Sequence, residues 1–291
     1  MFPYMGGKSQ QVKRLEQIFT KSANSFIDVF GGAGWVSVTT QIPLNPSVRV
    51  YNDFNPFIAN ILECARKSTT DLVAAMDQYQ CSDELLFKQF QDEIFNKMQW
   101  QNVPFGDFDL AARYLYIQTQ IFSSQPLNAR NKPYFPDVHS NGRDRNKYDV
   151  LKSKLKNNKK VKTRLSELTT VENMDCCDVI RKYDGPDTFF YVDPPYYNME
   201  FNYTLDFPIE KHTDLANVLS SIEGKFALSY YDTPEIRQLY PSDKFLWVNH
   251  KVSQNSSNSR KVGVQKVVNE IVIMNYDPLF IDTNIFEIME F

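Results

Sequence analysis

Two patterns of apolar residues alternate along the chain, and the change from one to the other divides it into three stretches. Short, nearly continuous runs of β-branched and aromatic residues predict buried strands, whereas apolar residues three and four apart predict helices with one buried face. Ser25-Phe26-Ile27-Asp28-Val29-Phe30 is a run of the first kind, and Val48-Arg49-Val50-Tyr51 is another. Between them Gly31-Gly32-Ala33-Gly34 predicts a tight turn into a helix over 35–40, and a further helix is expected over 55–66. The opening is therefore βαβα. Over 71–100 and 109–123 the spacing becomes amphipathic and helical, while 124–147, with Pro126, Pro133, Pro136 and Gly142, reads as a loop. No strand is predicted in 67–165. Strand-like runs resume at 170–173, 188–192, 225–230, 245–252 and 267–275, with a helix over 209–222. The expected architecture is an α/β doubly wound sheet formed by 1–66 and 166–291, interrupted by a mainly helical insertion over 67–165.

Composition narrows the class. No stretch of about 18 apolar residues is present and residues 1–10 lack the apolar core of a signal peptide, so a soluble, cytoplasmic protein is expected. Cys64, Cys81, Cys176 and Cys177 show neither C-x-x-C spacing nor paired Cys/His spacing, which predicts buried free thiols and no metal site. The net charge of −3 argues against a polyanionic partner, but the average hides an asymmetry. Residues 143–164 hold ten basic side chains against two acidic ones, Asp144 and Asp149. Such a block either tracks phosphates or forms a solvated helix face. Lys152, Lys156 and Lys160 stand in it as candidate phosphate contacts.

Three motifs carry chemistry. Gly32 is followed 21 residues later by Asp53, the acid that ends the second strand, and an acid in that place can hydrogen-bond ribose hydroxyls. The dinucleotide fingerprint fits Gly32 and Gly34 but fails at Ser37; a ligand with adenosine and no pyrophosphate, such as S-adenosylmethionine, needs fewer glycines. Gly6-Gly7-Lys8-Ser9 is similar to the end of a nucleotide-binding loop, yet Phe2 stands where that loop needs glycine. Lys8 is left as a ligand for a carboxylate or a base. Third, Asp193-Pro194-Pro195-Tyr196 follows the strand-like Thr188-Phe189-Phe190-Tyr191-Val192. Asp193 and the Pro194 carbonyl offer two acceptors for the hydrogens of an exocyclic amine, Pro195 keeps Pro194 extended, and Tyr196 offers an aromatic face to a base.

The ordered set Tyr4-Met5-Gly6-Gly7-Lys8, Phe26-Ile27-Asp28-Val29-Phe30-Gly31-Gly32-Ala33-Gly34, Asn52-Asp53-Phe54-Asn55 and Asp193-Pro194-Pro195-Tyr196 resembles the Dam-type family of DNA adenine methylases. The likeness covers about 2–66 and 168–276. It implies a Rossmann-like, seven-stranded methyltransferase fold with a helical target-recognition insertion. The implied activity is site-specific transfer of a methyl group from S-adenosylmethionine to the N6 amine of an adenine flipped from double-stranded DNA, leaving S-adenosylhomocysteine. Carried over residue by residue, the resemblance makes Asp193, Pro194 and Tyr196 catalytic. It places Tyr4, Lys8, Phe30, Gly32, Gly34, Asp53 and Asp193 around the cofactor and Asp175 on its adenine, with Asp178 as a competitor for that role. Ser229-Tyr230-Tyr231-Asp232 is similar to the family's later Ser/Asp segment.

The insertion departs from the family. Where relatives carry an Asn-Arg-x-x-Phe-Asn-Gly-Leu-x-Arg-like stretch, this chain has Gln118-Thr119-Gln120-Ile121-Phe122-Ser123-Ser124-Gln125-Pro126-Leu127-Asn128-Ala129-Arg130. Gln118, Gln120, Asn128, Arg130 and Lys132 are residue types that can read base edges, but no target sequence follows from them. N4-cytosine methylation poses the same amine problem, and a non-catalytic DNA-binding protein of this fold is the reading from another class.

Overall fold

The computed structural model describes residues 7–9, 11–20, 22–39, 47–79, 83–94, 103–121, 147–197, 207–253, 267–278 and 286–289. Strands β1 (Ser25–Asp28), β2 (Val48–Asn52), β3 (Thr170–Glu172), β4 (Thr188–Val192), β5 (Lys225–Tyr231), β6 (Leu246–Ser253), β7 (Val267–Met274) and β8 (Glu287–Ile288) form one sheet in the order β3-β2-β1-β4-β5-β7-β6-β8. The first five pair in parallel, whereas β7 lies antiparallel between β5 and β6. The seven expected strands are all present, and the eighth is a two-residue addition beside β6.

Strands near the centre bury both faces, which is why they read as continuous apolar runs and not as alternating ones. All five residues of β4 are buried. Phe189 and Tyr191 join Phe26 of β1 and Val12, Leu15 and Ile18 of helix α1 (Val12–Ile18) on one face. Phe190 and Val192 join Ile27 and Val50 on the other, against α9 (Cys176–Tyr183) and α10 (Ile209–Leu219). β1 pairs with both β2 and β4, so the strand order changes direction between β1 and β4. Open α/β sheets bind ligands at such a switch point, outside the carboxyl ends of the strands.

The described residues between α3 (Pro56–Lys67) and β3 form helices: α4 (Thr69–Met76), α5 (Glu84–Asp92), α6 (Phe108–Gln120), α7 (Lys147–Asn157) and α8 (Lys159–Ser166). The helical stretch expected over 71–100 is broken, however. Asp77 closes α4, and Asp83 caps α5 by accepting a bond from the Leu86 N–H at 3.1 Å. Asp107 caps α6 in the same way. Among the described residues these helices share their core with the elements around them. Leu72, Met76, Phe87, Leu115, Leu151, Leu155 and Leu165 share one apolar cluster with Phe57, Ile58, Ile61 and Leu62 of α3 and with Tyr51 of β2. Helix α8 packs on both α3 and α2 (Trp35–Thr39). Cys64, Cys176 and Cys177 are buried free thiols. Among the described residues no helix is long and apolar enough to cross a membrane. Cys81 and the loop expected over 124–147, up to Asn146, lie outside the described residues.

Candidate active site

The turn after β1 is built by close backbone approach. A Cβ on Gly31 would stand 2.0 Å from the Tyr51 ring, so no larger residue fits without moving that buried side chain. Gly32 and Gly34 have positive φ, 50° and 70°, which L side chains adopt only with strain. The Tyr51 hydroxyl donates to the Gly32 carbonyl at 2.5 Å, and the Gly31 N–H donates to the Asn52 carbonyl at 2.7 Å. Asn52 extends the tie: its amide donates to the Val29 carbonyl at 2.9 Å and its oxygen accepts the Met174 N–H at 2.9 Å. Three strand ends are thereby fixed to one another.

Asp53 sits where the 21-residue spacing placed it. One carboxylate oxygen accepts the Gly32 N–H at 2.8 Å and the other accepts the Asn55 N–H at 2.8 Å, at the start of α3. Burial pushes its pKa up to about 6 against those two bonds. Each carboxylate oxygen retains acceptor capacity beyond one bond, so a diol can still be bound. Beside it Phe54 is exposed, and the Asn173 amide donates to the Asp53 carbonyl at 2.7 Å and to the Phe54 carbonyl at 3.0 Å. Phe30 is half-buried against Phe207, ring centroids 5.7 Å apart.

At the end of β4 the structure assembles charges that are distant in sequence. Lys8 is buried, with its ammonium 3.0 Å from Asp193 Oδ1, 2.7 Å from Glu270 Oε1 and 2.6 Å from the Tyr196 hydroxyl. The Tyr196 hydroxyl in turn donates to Glu270, whose other oxygen accepts from the Gln11 amide at 2.9 Å. Burial works against the ammonium, but Asp193 and Glu270 outweigh it, and the Lys8 pKa stands well above the lysine range. The two carboxylates diverge. Burial and the charge of Glu270 push Asp193 up to about 6 despite Lys8, whereas Lys8, Tyr196 and Gln11 overcome burial and hold Glu270 below its usual value. Tyr196 is enclosed, 6% exposed, with its ring edge-on to Tyr231 at 4.4 Å and tilted on Tyr230 at 5.9 Å. The face expected to be open to a base is covered in this arrangement.

Asp28 was not among the expected site residues, yet it is buried at the end of β1 within reach of the charges of Asp193 and Asp53. Ser37 donates to it at 2.6 Å, and burial pushes its pKa up to about 7. The signal for Asp28 and Glu270 lay in the sequence all the same. Each is a lone carboxylate in an apolar strand run, Phe26-Ile27-Asp28-Val29-Phe30 and Glu270-Ile271-Val272-Ile273-Met274, and a carboxylate is not buried there without partners.

Asp175 lies at the carboxyl end of β3 and caps α9. It accepts the Cys177 N–H at 2.9 Å and pairs with the Lys211 ammonium at 2.7 Å, which with its other bonds keeps its pKa low despite burial. Its carboxylate comes within 4.8 Å of the Cys176 and Cys177 thiols, and each of its oxygens accepts one of those two bonds. Asp178 is farther out, paired with Arg181 at 3.2 Å. In the Ser229 to Asp232 segment, Ser229 is buried within 3.2 Å of the Tyr191 hydroxyl, and Asp232 is paired with Arg237. Of the residues expected to read base edges, Gln118 is fully buried in α6, and the Gln120 amide donates to the Tyr116 carbonyl at 3.0 Å. The α6 periodicity turns Gln118 into the core, so it is not a surface reader. Lys156 and Lys160 are exposed, whereas Lys152 is paired with Asp77 at 3.1 Å and Asp149 at 2.9 Å. Tyr4, Asn128, Arg130 and Lys132 lie outside the described residues.

The family described as D12 class N6 adenine-specific DNA methyltransferase matches residues 4–254. The chain is similar to the DNA adenine methylase of Haemophilus influenzae, 22% identical over 284 residues that cover 89% of each protein. It is 21% identical over 277 residues to the type II methyltransferase M.CviBI of Paramecium bursaria Chlorella virus NC1A, covering 94% of this chain and 98% of that one. A third relative, modification methylase LlaI of Lactococcus lactis, is 23% identical over 94% of this chain but longer, with 43% of its length covered.

Proposed function

The chain belongs to the D12 class of N6 adenine-specific DNA methyltransferases, so its reaction is methylation of the adenine amine in DNA, and we propose that S-adenosylmethionine is the donor and Asp193 the principal acceptor for that amine. When bound, the donor supplies a methyl group on a sulfonium sulfur. The residues present suit it: a glycine turn with positive φ, a half-open Asp53 able to take the ribose diol, and Asp175 one strand farther on for the adenine ring. Exposed Phe54 adds an apolar face beside Asp53.

The observation that carries the assignment is the position of Asp193 and Pro194 at the end of β4, directly beside the β1 glycine turn at the switch point of the sheet. The adenine amine is a poor nucleophile because its lone pair is delocalised into the ring. Acceptors fixed toward its two hydrogens favour the pyramidal nitrogen whose lone pair is free to attack. Asp193 supplies a charged acceptor, and Pro194 a carbonyl whose direction is set by the proline after it. Duplex DNA must release the base first, at a cost of about a few kcal/mol in unstacking and unpairing. The exposed lysines of α7 and α8, Lys156 and Lys160 among them, meet the phosphates.

Labelled methyl transfer to duplex DNA, followed by digestion to nucleosides and mass spectrometry, tests the reading. N6-methyladenine is expected from the native chain, and on the order of a thousandfold less from Asp193→Ala. Near-native methyl transfer by Asp193→Ala, or N4-methylcytosine as the product, would overturn it.

A further inference from the structure

We propose that Glu270, on the antiparallel strand β7, is a positioning residue for the reaction: it takes up the Lys8 ammonium and the Tyr196 hydroxyl so that Asp193 stays an under-satisfied acceptor for the amine. This rests on the role given to Asp193 above. An ammonium has three N–H donors, and Lys8 has three acceptors around it: Asp193, Glu270 and Tyr196. One cation faces two carboxylates and cannot neutralise both. Glu270 holds the ammonium more closely, at 2.7 Å against 3.0 Å for Asp193, and it also accepts from the Gln11 amide and from the Tyr196 hydroxyl, which bears on Asp193 as well. Among the described residues, Lys8 is the only ion-pair partner of Asp193.

Two carboxylates driven apart by their surroundings acquire different tasks. Glu270 is the settled anion that anchors Lys8 and the hydroxyl of the Tyr196 segment to the sheet. Asp193, which shares its one cation with that second anion, is more basic and a stronger acceptor than a carboxylate with a lysine to itself. Glu270 is 4% exposed on a strand that continues as Ile271-Val272-Ile273-Met274, where a carboxylate is costly to bury without partners. Adenine's amine meets Asp193, and Glu270 acts through Lys8 and Tyr196 without reaching the base.

The test reads Asp193 directly. The groups whose charges act on it are Lys8 from the N-terminal segment, Tyr191 on β4, Tyr196 in its own segment, Asp28 on β1 and Glu270 on β7. Glu270→Gln removes the last of these charges and loosens the hold of β7 on Lys8 and Tyr196, leaving the other four residues unsubstituted. A carbon-13 NMR titration of the Asp193 carboxyl, without DNA or donor, should show its midpoint fall by roughly half to one pH unit in Glu270→Gln, the direction expected when a like charge is removed. Single-turnover methyl transfer at pH 7 should fall about tenfold or more. An unmoved midpoint, or an unaltered rate, overturns the proposal. Should the glutamine protein not fold, Glu270→Asp keeps the charge and shortens the arm: a slowed transfer with the midpoint near its native value supports the role, and a native rate overturns it. Normal transfer by Asp193→Ala would remove the role of Asp193 itself, while the NMR midpoint still shows whether Glu270 sets its protonation.

Discussion

The end of β4 and the surface of α7 and α8 both concentrate charge, but they use it in opposite ways. At β4 Lys8, Asp193 and Glu270 are buried against one another, and each contact changes the protonation of the others. Along α7 and α8, Lys154, Lys156, Lys159 and Lys160 are exposed, and their charges act on water and on whatever polyanion approaches. Charge in a dry site is strong and depends on position; charge on a wet helix is weak, screened by salt and nearly interchangeable. One region is therefore suited to chemistry through single residues, and the other to affinity by accumulation.

If that contrast holds, substitutions in the first region should be large and specific. Asp193→Ala should reduce methyl transfer by on the order of a thousandfold, the scale of losing a preorganised electrostatic contact, while donor binding by calorimetry changes only a few-fold. A proportionate loss of donor affinity would mean that Asp193 serves the cofactor more than the amine.

Asp28→Asn should make the protein more stable, and only where the acid is ionised. With a folded pKa of about 7 against about 4 unfolded, the native state holds the extra proton between those values, so the native protein loses stability as pH rises through that window. The advantage of asparagine should be near zero at pH 4 and grow to on the order of 2–4 kcal/mol at pH 8. Urea unfolding across that range measures it, and an advantage independent of pH would remove burial of the charge as the cause.

Gly31→Ala should cost roughly 1–3 kcal/mol in the same assay, because its Cβ meets the buried Tyr51 ring. The smallest effects belong to the second region. Lys156→Gln combined with Lys160→Gln should weaken DNA binding a few-fold and reduce the slope of log K against log salt by up to about 2, whereas Lys152→Gln, whose charge already serves Asp77 and Asp149, should change the slope less. Equal slopes for Lys152 and Lys156 variants would show that intramolecular pairing does not sort these lysines.

Much of the catalytic half was legible because its residues are fixed by local backbone demands. Gly31 is required by contact with Tyr51, Gly32 and Gly34 by their φ, and Asp53 by the two N–H groups that converge on it. The helical insertion was legible as helices but not as a surface. Gln118 has the chemistry to read a base and faces the core, while Lys152 belongs to the basic block and is already paired. Helical spacing alone does not tell which face an insertion turns inward when α3 and β2 supply part of its core.

By itself the sequence determined the strands, the glycine turn, the Asp193-Pro194 pair at the end of β4 and the order of motifs that marks the family, since periodicity and turn chemistry act over a few neighbouring residues. Tertiary structure alone decided which charges share a site. Lys8 and Tyr196 are 188 residues apart in sequence and Gln11 and Glu270 are 259 apart, yet all four join one buried network. The physical reason is that a charge gains a definite role only when water is removed from it, and the folded sheet determines which charges lose their water together.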